Sequence, residues 1–327
     1  MARICPCSPT TPIEPIMEQA HPYIKHAFLK ELLPPRRIVF LVNPFAGART
    51  HAQIADAIEA HLDHRKFTYT IWHTERPGHA TELAQRAREE GYDIVVSVGG
   101  DGSAQEVATA LLQTDTVMGV LPAGSGNGFA MHLGYDRNIA HAIRLLNTAE
   151  PRLIDCGRVN GRPFVNVAGI GYDGAVAERM KRTARRGFWP YLYHAVVGGL
   201  LHRPVRYKVE AEGQCWEDTF FLVTIANGPM YGYSFYIAPD ACVDDGLFSG
   251  VIFKNVSRWH YILAIPSSLS GRLYKEHFVI HFQAKQVKVT CEQPTFAHAD
   301  GESLGKGNAF QFEIIPRALK ILAPVRY

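Results

Sequence analysis

The chain is short of cysteine, net charge and long apolar runs, and each shortage closes off a class of function. Its six cysteines, at positions 5, 7, 156, 215, 242 and 291, are scattered through 327 residues. No CxxC faces a second CxxC or an HxxxH, so no zinc framework is written here and the pattern suits reduced thiols. The 15 histidines show no HExxH spacing and receive no role. A formal net charge of +3 is too small to point to a nucleic-acid partner. No segment approaches the ~20 apolar residues that cross a bilayer. The nearest, "YLYHAVVGGLL" from Tyr191 to Leu201, is much too short. The N-terminus has no apolar run that would make a signal peptide. Three familiar loops are also missing: GxxxxGK[ST], a GxGxxG after the first strand, and GxSxG.

What remains is ordinary in bulk, with 47% hydrophobic and 20% charged residues. That is the balance of a globular protein, and the length predicts two domains. Residues 1–35 are proline-rich and read as an extension. From "RRIVFLVNP" onward, strands and helices alternate. Arg37 to Val42 is a short apolar run. "ARTHAQIADAIEAHL" places Ile54, Ile58 and Leu62 on one helical face. "FTYTIWH", "DIVVSV" and "VMGVLPA" read as strands, with the helices "HATELAQRAREEG" and "SAQEVATALLQ" between them. The spacing predicts a parallel-sheet α/β domain over residues 36–154. After Asp155, short strand-like segments follow turn residues, with one helical basic stretch from Gly174 to His202. This predicts an antiparallel β-sandwich over 155–314, while 315–327 is a candidate to return and complete the first domain.

Four polar loops end the four predicted strands of the first domain: "VNPFAG", "WHTERPGHA", "GGDG" and "PAGSGN". Ligands of open α/β sheets bind beyond the carboxyl ends of the strands. Gly99, Gly100 and Gly102 let a backbone approach a ligand closely. The helix starting near Ser103 offers free N–H groups and a positive dipole end, which favour phosphate. Asp101 is an unusual neighbour for an anion. It makes sense beside a divalent cation, as a loop brace or on a ribose hydroxyl. Ser125 is placed to donate to a phosphate and Asn127 to fix its loop.

The set NPxxG, TxxxGHA, GGDG[ST]xxE and PxGSGN, with "NGPMYGYSFYIAPDACVDDGLF" and "ADGE", resembles the diacylglycerol kinase and sphingosine kinase family of lipid kinases, especially its bacterial soluble members. The resemblance spans roughly residues 36–327. It implies an NAD kinase/diacylglycerol kinase-like nucleotide-binding domain and an acceptor-binding β-sandwich. It also implies ATP and Mg2+ as cofactors, with Asn43, Thr74, Gly99, Gly100, Asp101, Gly102, Ser103, Gln105, Glu106, Gly124, Ser125 and Asn127 around the nucleotide. Ser103 replaces the usual threonine, Gln105 an asparagine and Gly128 a common aspartate, and "PAGSGN" is similar to sphingosine and ceramide kinases. The acceptor therefore stays open between diacylglycerol and a sphingoid or ceramide-like lipid.

In the second domain, "ACVDDGLF" is by itself a strong turn signal. The resemblance implies a magnesium site there, formed by Asp245 and the carbonyls of Cys242 and Leu247. In "AHADGESLG" it implies that Glu302 accepts the proton of the lipid hydroxyl, with Asp300 and Asp101 supporting the catalytic geometry. Asp173, in "GIGYDG", either orients the acceptor or caps a helix. Arg179, Lys181, Arg182, Arg185 and Arg186 precede Phe188, Trp189 and Tyr191, a pattern that suits either an anionic bilayer surface or a solvated helix followed by a core helix. The expectation is a cytoplasmic lipid kinase in peripheral contact with the inner membrane surface, acting on a lipid substrate, with a homodimer left open. The rivals are a kinase for a soluble acceptor such as NAD and a non-catalytic nucleotide- or lipid-binding regulator.

Overall fold

The computed structural model describes residues 34–47, 51–183 and 187–324. Cys5, Cys7, Arg185 and Arg186 lie outside them, as do most of the predicted extension and residues 325–327. The first half alternates as its periodicity predicts: β1 (Arg36–Val42), α1 (His51–His61), β2 (Phe67–His73), α2 (His79–Glu89), β3 (Ile94–Gly99), α3 (Asp101–Leu111) and β4 (Val117–Pro122). β1 pairs with β2 and β3, and β3 with β4, all in parallel. Strands covered on both faces read as unbroken apolar runs, and Ile38 to Val42 are each at most 1% exposed. Ile54, Ile58 and Leu62 turn α1 onto the same core. Burying each such side chain is worth about 1.5–3 kcal/mol.

Two short helices, α4 (Gly128–His132) and α5 (Ile139–Leu146), follow β4 and were not anticipated. β5 (Glu150–Val159), β6 (Arg162–Phe164) and β7 (Val167–Gly171) then lead into α6 (Tyr172–Lys181) and α7 (Phe188–Leu201). β8 (Val205–Ala211), β9 (Gln214–Ala226), β10 (Phe248–Lys254), α8 (Arg258–Leu263), α9 (Ile265–Leu269), β11 (Val279–Ala284), β12 (Gln286–Ala299) and β13 (Glu302–Ala323) complete the order. Pairing among these later strands is antiparallel. They enclose a second core in which Phe164 stacks on Phe248 and meets Phe312 edge-on.

β13 belongs to both cores. Its first part pairs with β12, while Ile321 pairs in parallel with Met118 of β4. Leu319, Ile321 and Leu322 pack into the first core. The strand is irregular between Ile315 and Leu319, where Arg317 has φ +52°. Asp155, 1% exposed, holds that irregularity by accepting the Arg317 amide at 2.7 Å. Its other oxygen accepts the Gly246 amide at 2.7 Å.

Candidate active site

The polar loops at the ends of β1, β3 and β4 touch one another. A Cβ built on Gly47 would fall 2.1 Å from the Ala123 carbonyl oxygen, and one on Gly124 would fall 2.4 Å from Gly100 Cα. Only glycine allows backbones so close. The Gly99 carbonyl accepts the amides of Ala123 and Gly124 at 2.9 and 3.0 Å. Asn43 donates to Ser103 Oγ at 2.9 Å and accepts the Phe45 amide at 3.0 Å, tying the β1 loop to the start of α3. The loop after β2 joins through Glu106, which accepts the amides of Gly78 and Ala80 at 2.8 and 3.1 Å at the N-terminal end of α2. Thr74, 6% exposed, donates its amide to the Val42 carbonyl.

Within "PAGSGN", Asn127 braces its own loop. Its side chain accepts the Gly124 amide at 3.0 Å and donates to the Gly124 carbonyl at 2.6 Å. Ser125 is exposed and shares a hydrogen bond with the Tyr233 hydroxyl. Asp101 fastens this loop to "GGDG": one carboxylate oxygen accepts Gly128 N at 3.1 Å, the other Phe129 N at 3.0 Å. Burial pushes the Asp101 carboxyl above its ordinary range, against the pull of those amides. Gln105 points elsewhere and donates to the Pro163 carbonyl at 3.3 Å.

The other wall is the β12–β13 hairpin. Ala299 pairs with Glu302, so Asp300 and Gly301 form a two-residue turn, with φ +49° and +85°. Asp-Gly with both φ positive is the mirror-image turn such hairpins favour. The turn presents Glu302, which is exposed, to the glycine loops: its Oε1 lies 3.4 Å from the point a Cβ on Gly102 would occupy. Asp300 is tied to the junction of β6 and β7. Its carboxylate accepts the amides of Val165, Asn166 and Val167 at 2.7, 2.9 and 3.0 Å. Desolvation, with Asp101 nearby, pushes its carboxyl up to about 6 in spite of these bonds. Asp101, Asp300, Phe129, Tyr191, Tyr231 and Tyr233 help to line a cavity of about 190 Å³.

Asp173 does more than cap α6. Its Oδ1 accepts the Gly174 amide, while Oδ2 accepts the Thr224 and Tyr231 hydroxyls, each bond being 2.9 Å. His298 Nε2 stands 3.4 Å from that oxygen. The sequence gives no signal for His298 beyond its place two residues before Asp300. At the predicted magnesium turn, Asp245 Oδ1 accepts Leu247 N at 3.0 Å and the Cys242 thiol donates to Asp244. No group of three or more His, Cys, Asp or Glu side chains gathers to hold a metal ion among the described residues.

Glycine turns on an α/β lobe, facing a carboxylate carried by a β-lobe, are the arrangement expected of a two-lobed phosphotransferase. Comparison with known proteins agrees. Residues 37–159 match the diacylglycerol kinase catalytic domain and residues 166–323 the YegS C-terminal NAD kinase beta sandwich-like domain. The chain belongs to the diacylglycerol kinase family and is a lipid kinase. It is 27% identical over 274 residues to the diacylglycerol kinase of Bacillus subtilis (strain 168), covering 82% of this chain and 90% of that one. It is 29% identical over 252 residues to the probable lipid kinase YegS-like of Klebsiella pneumoniae (strain 342), covering 76% and 83%. The crystal structure of a diacylglycerol kinase from Bacillus anthracis str. Sterne shares the fold with a TM-score of 0.65 at 21% identity, over 88% of this chain and 97% of that one. A further solved chain from that organism gives 0.72 at 24%, over 88% and 95%.

Proposed function

We propose that this lipid kinase transfers the γ-phosphate of Mg-ATP to the hydroxyl of a diacylglycerol-like lipid at a membrane surface. One observation carries the reading: Glu302, from the second lobe, stands against Gly102 at the first turn of α3. That is where amides and the helix dipole favour phosphate. Gly100, Gly102 and Ser103 hold the phosphates there, and Asn43, Glu106 and Asn127 keep the loops in register. Glu302 takes the proton from the lipid hydroxyl as its oxygen bonds to the γ-phosphorus and the bond to ADP breaks. Magnesium supplies neutralisation of the phosphate charge. Asp101 is the carboxylate beside the glycine turns that could face such an ion, although backbone amides of the "PAGSGN" loop already share its oxygens. Asp245, with the Cys242 and Leu247 carbonyls, is a hard-oxygen set that suits a second, structural magnesium.

Two features support membrane contact. The cavity of about 190 Å³ lies beside Asp101 and Asp300. Tyr191 of α7 lines that cavity. Tyr193, Val196 and Leu200 on the same helix are 62%, 43% and 53% exposed, at spacings that share one face. Arg258 donates to the His202 carbonyl, joining the end of α7 to α8, where Trp259 and Leu263 are 70% and 75% exposed. Arg179 and Lys181 on α6 supply charge complementary to anionic lipid.

Labelled ATP with diacylglycerol, sphingoid base, ceramide and NAD as acceptors tests the reading. Label is expected on the glycerolipid, and Glu302→Gln should lower kcat roughly 10²–10⁴-fold. Label on NAD alone, or full activity of Glu302→Gln, refutes it. Replacing Leu200 and Leu263 by serine should abolish sedimentation with anionic vesicles yet spare turnover of a water-soluble short-chain acceptor.

A further inference from the structure

His298 is 3% exposed and has a polar neighbour at each ring nitrogen. Gly301 N–H donates to its Nδ1 at 3.2 Å. That bond assigns the neutral ring's proton to Nε2, the atom facing Asp173. Asp173 is itself fixed by Thr224 of β9 and by Tyr231. The path runs from β9 through Asp173 and His298 to the amide one residue before Glu302. In a two-residue hairpin turn that amide has no ladder partner, and the His298 ring supplies one. Asp300 secures the preceding residue of the turn to residues 165–167. The two turn residues are thus clamped separately, from different elements.

A buried imidazole and carboxylate carry a desolvation penalty that apolar side chains of equal volume would avoid. Stability alone is a poor reason for them here. We propose that His298, oriented by Asp173, is a positioning residue that sets the turn carrying Glu302 and so its distance from the phosphates. This rests on the reading of Glu302 as the proton acceptor. His298 touches no reacting atom in that reading; it acts only through the Gly301 peptide.

The test is a double-mutant cycle on the full chain, with labelled ATP and short-chain diacylglycerol. His298→Leu should lower kcat by roughly 10- to 100-fold, the scale of a misplaced catalytic group, while the KM for ATP stays within about twofold. His298→Asn, whose amide oxygen falls near the position of Nδ1, should keep more activity than His298→Leu. In a Glu302→Gln background, His298→Leu should add almost no further loss, because the group it positions is gone. Losses that multiply across the cycle, or equal activity of the Asn and Leu variants, overturn the proposal. Should His298→Leu fail to fold, the Asn variant and Asp173→Asn run through the same cycle decide it. A Glu302→Gln enzyme with normal kcat instead overturns the reading of Glu302, a result distinct from a multiplicative cycle.

Discussion

Gly124→Ala probes the contact on which the proposed nucleotide site depends. The new Cβ would lie 2.4 Å from Gly100 Cα and 2.9 Å from Gly100 N. Neither neighbour is a flexible side-chain end; both are backbone. Restoring an ordinary contact requires the two loops to part by roughly 1 Å, a shift that overpacking data put at about 1–3 kcal/mol. The loops cannot part freely. Gly99 O accepts the amides of Ala123 and Gly124, and Asn127 grips Gly124 from both sides. A displacement of roughly 1 Å at a positioning loop costs about 10²-fold in rate. The variant should therefore lose about 1–3 kcal/mol in urea unfolding and about 10²-fold in kcat/KM for ATP. Gly100→Ala serves as the control for stability: its Cβ would meet Gly124 Cα at 3.5 Å, an ordinary contact, so its unfolding should change by less than about 1 kcal/mol. If Gly124→Ala unfolds like the wild type and binds ATP normally, the loops do not touch as described.

Asp300 makes stability depend on pH. Its carboxyl is raised from 3.8 to about 6, a difference worth about 3 kcal/mol. Because the folded value is the higher one, this contribution is complete below pH 3.8 and is lost as pH rises through about 6. Asp300→Asn removes the titration, so between pH 4 and 7.5 the wild type should lose about 2 kcal/mol relative to the variant in urea unfolding; parallel pH profiles would contradict it. Magnesium should raise the melting temperature of the wild type in the absence of nucleotide, with Asp245→Asn responding much less. Equal responses would remove the structural magnesium from the turn.

The positions of the loops were legible in the sequence; what their side chains do was not. Strand ends and glycine turns are local features, and "NPFAG", "TERPGHA", "GGDG" and "PAGSGN" each betray one through residues a few places apart. The partners of Asn43, Asp101 and Glu106 lie 60, 27 or 28, and 26 or 28 positions away. Nothing local distinguishes a carboxylate that meets an ion from one that closes a loop, and Asp101 and Glu106 both close loops. α5 places Ile139, Ala142, Ile143 and Leu146 on one buried face, but over eight residues that spacing is hard to tell from a buried strand. β13 joins the segments "AFQFEII" and "LKILA", although Pro316 and Arg317 interrupt the strand pattern between them. The break survives within one strand because Asp155 takes up the Arg317 amide. The same carboxylate holds Gly246 in the "DDG" turn. Asp155 thereby ties that turn to the bend of β13, the strand that begins with Glu302 and ends in the first lobe's core.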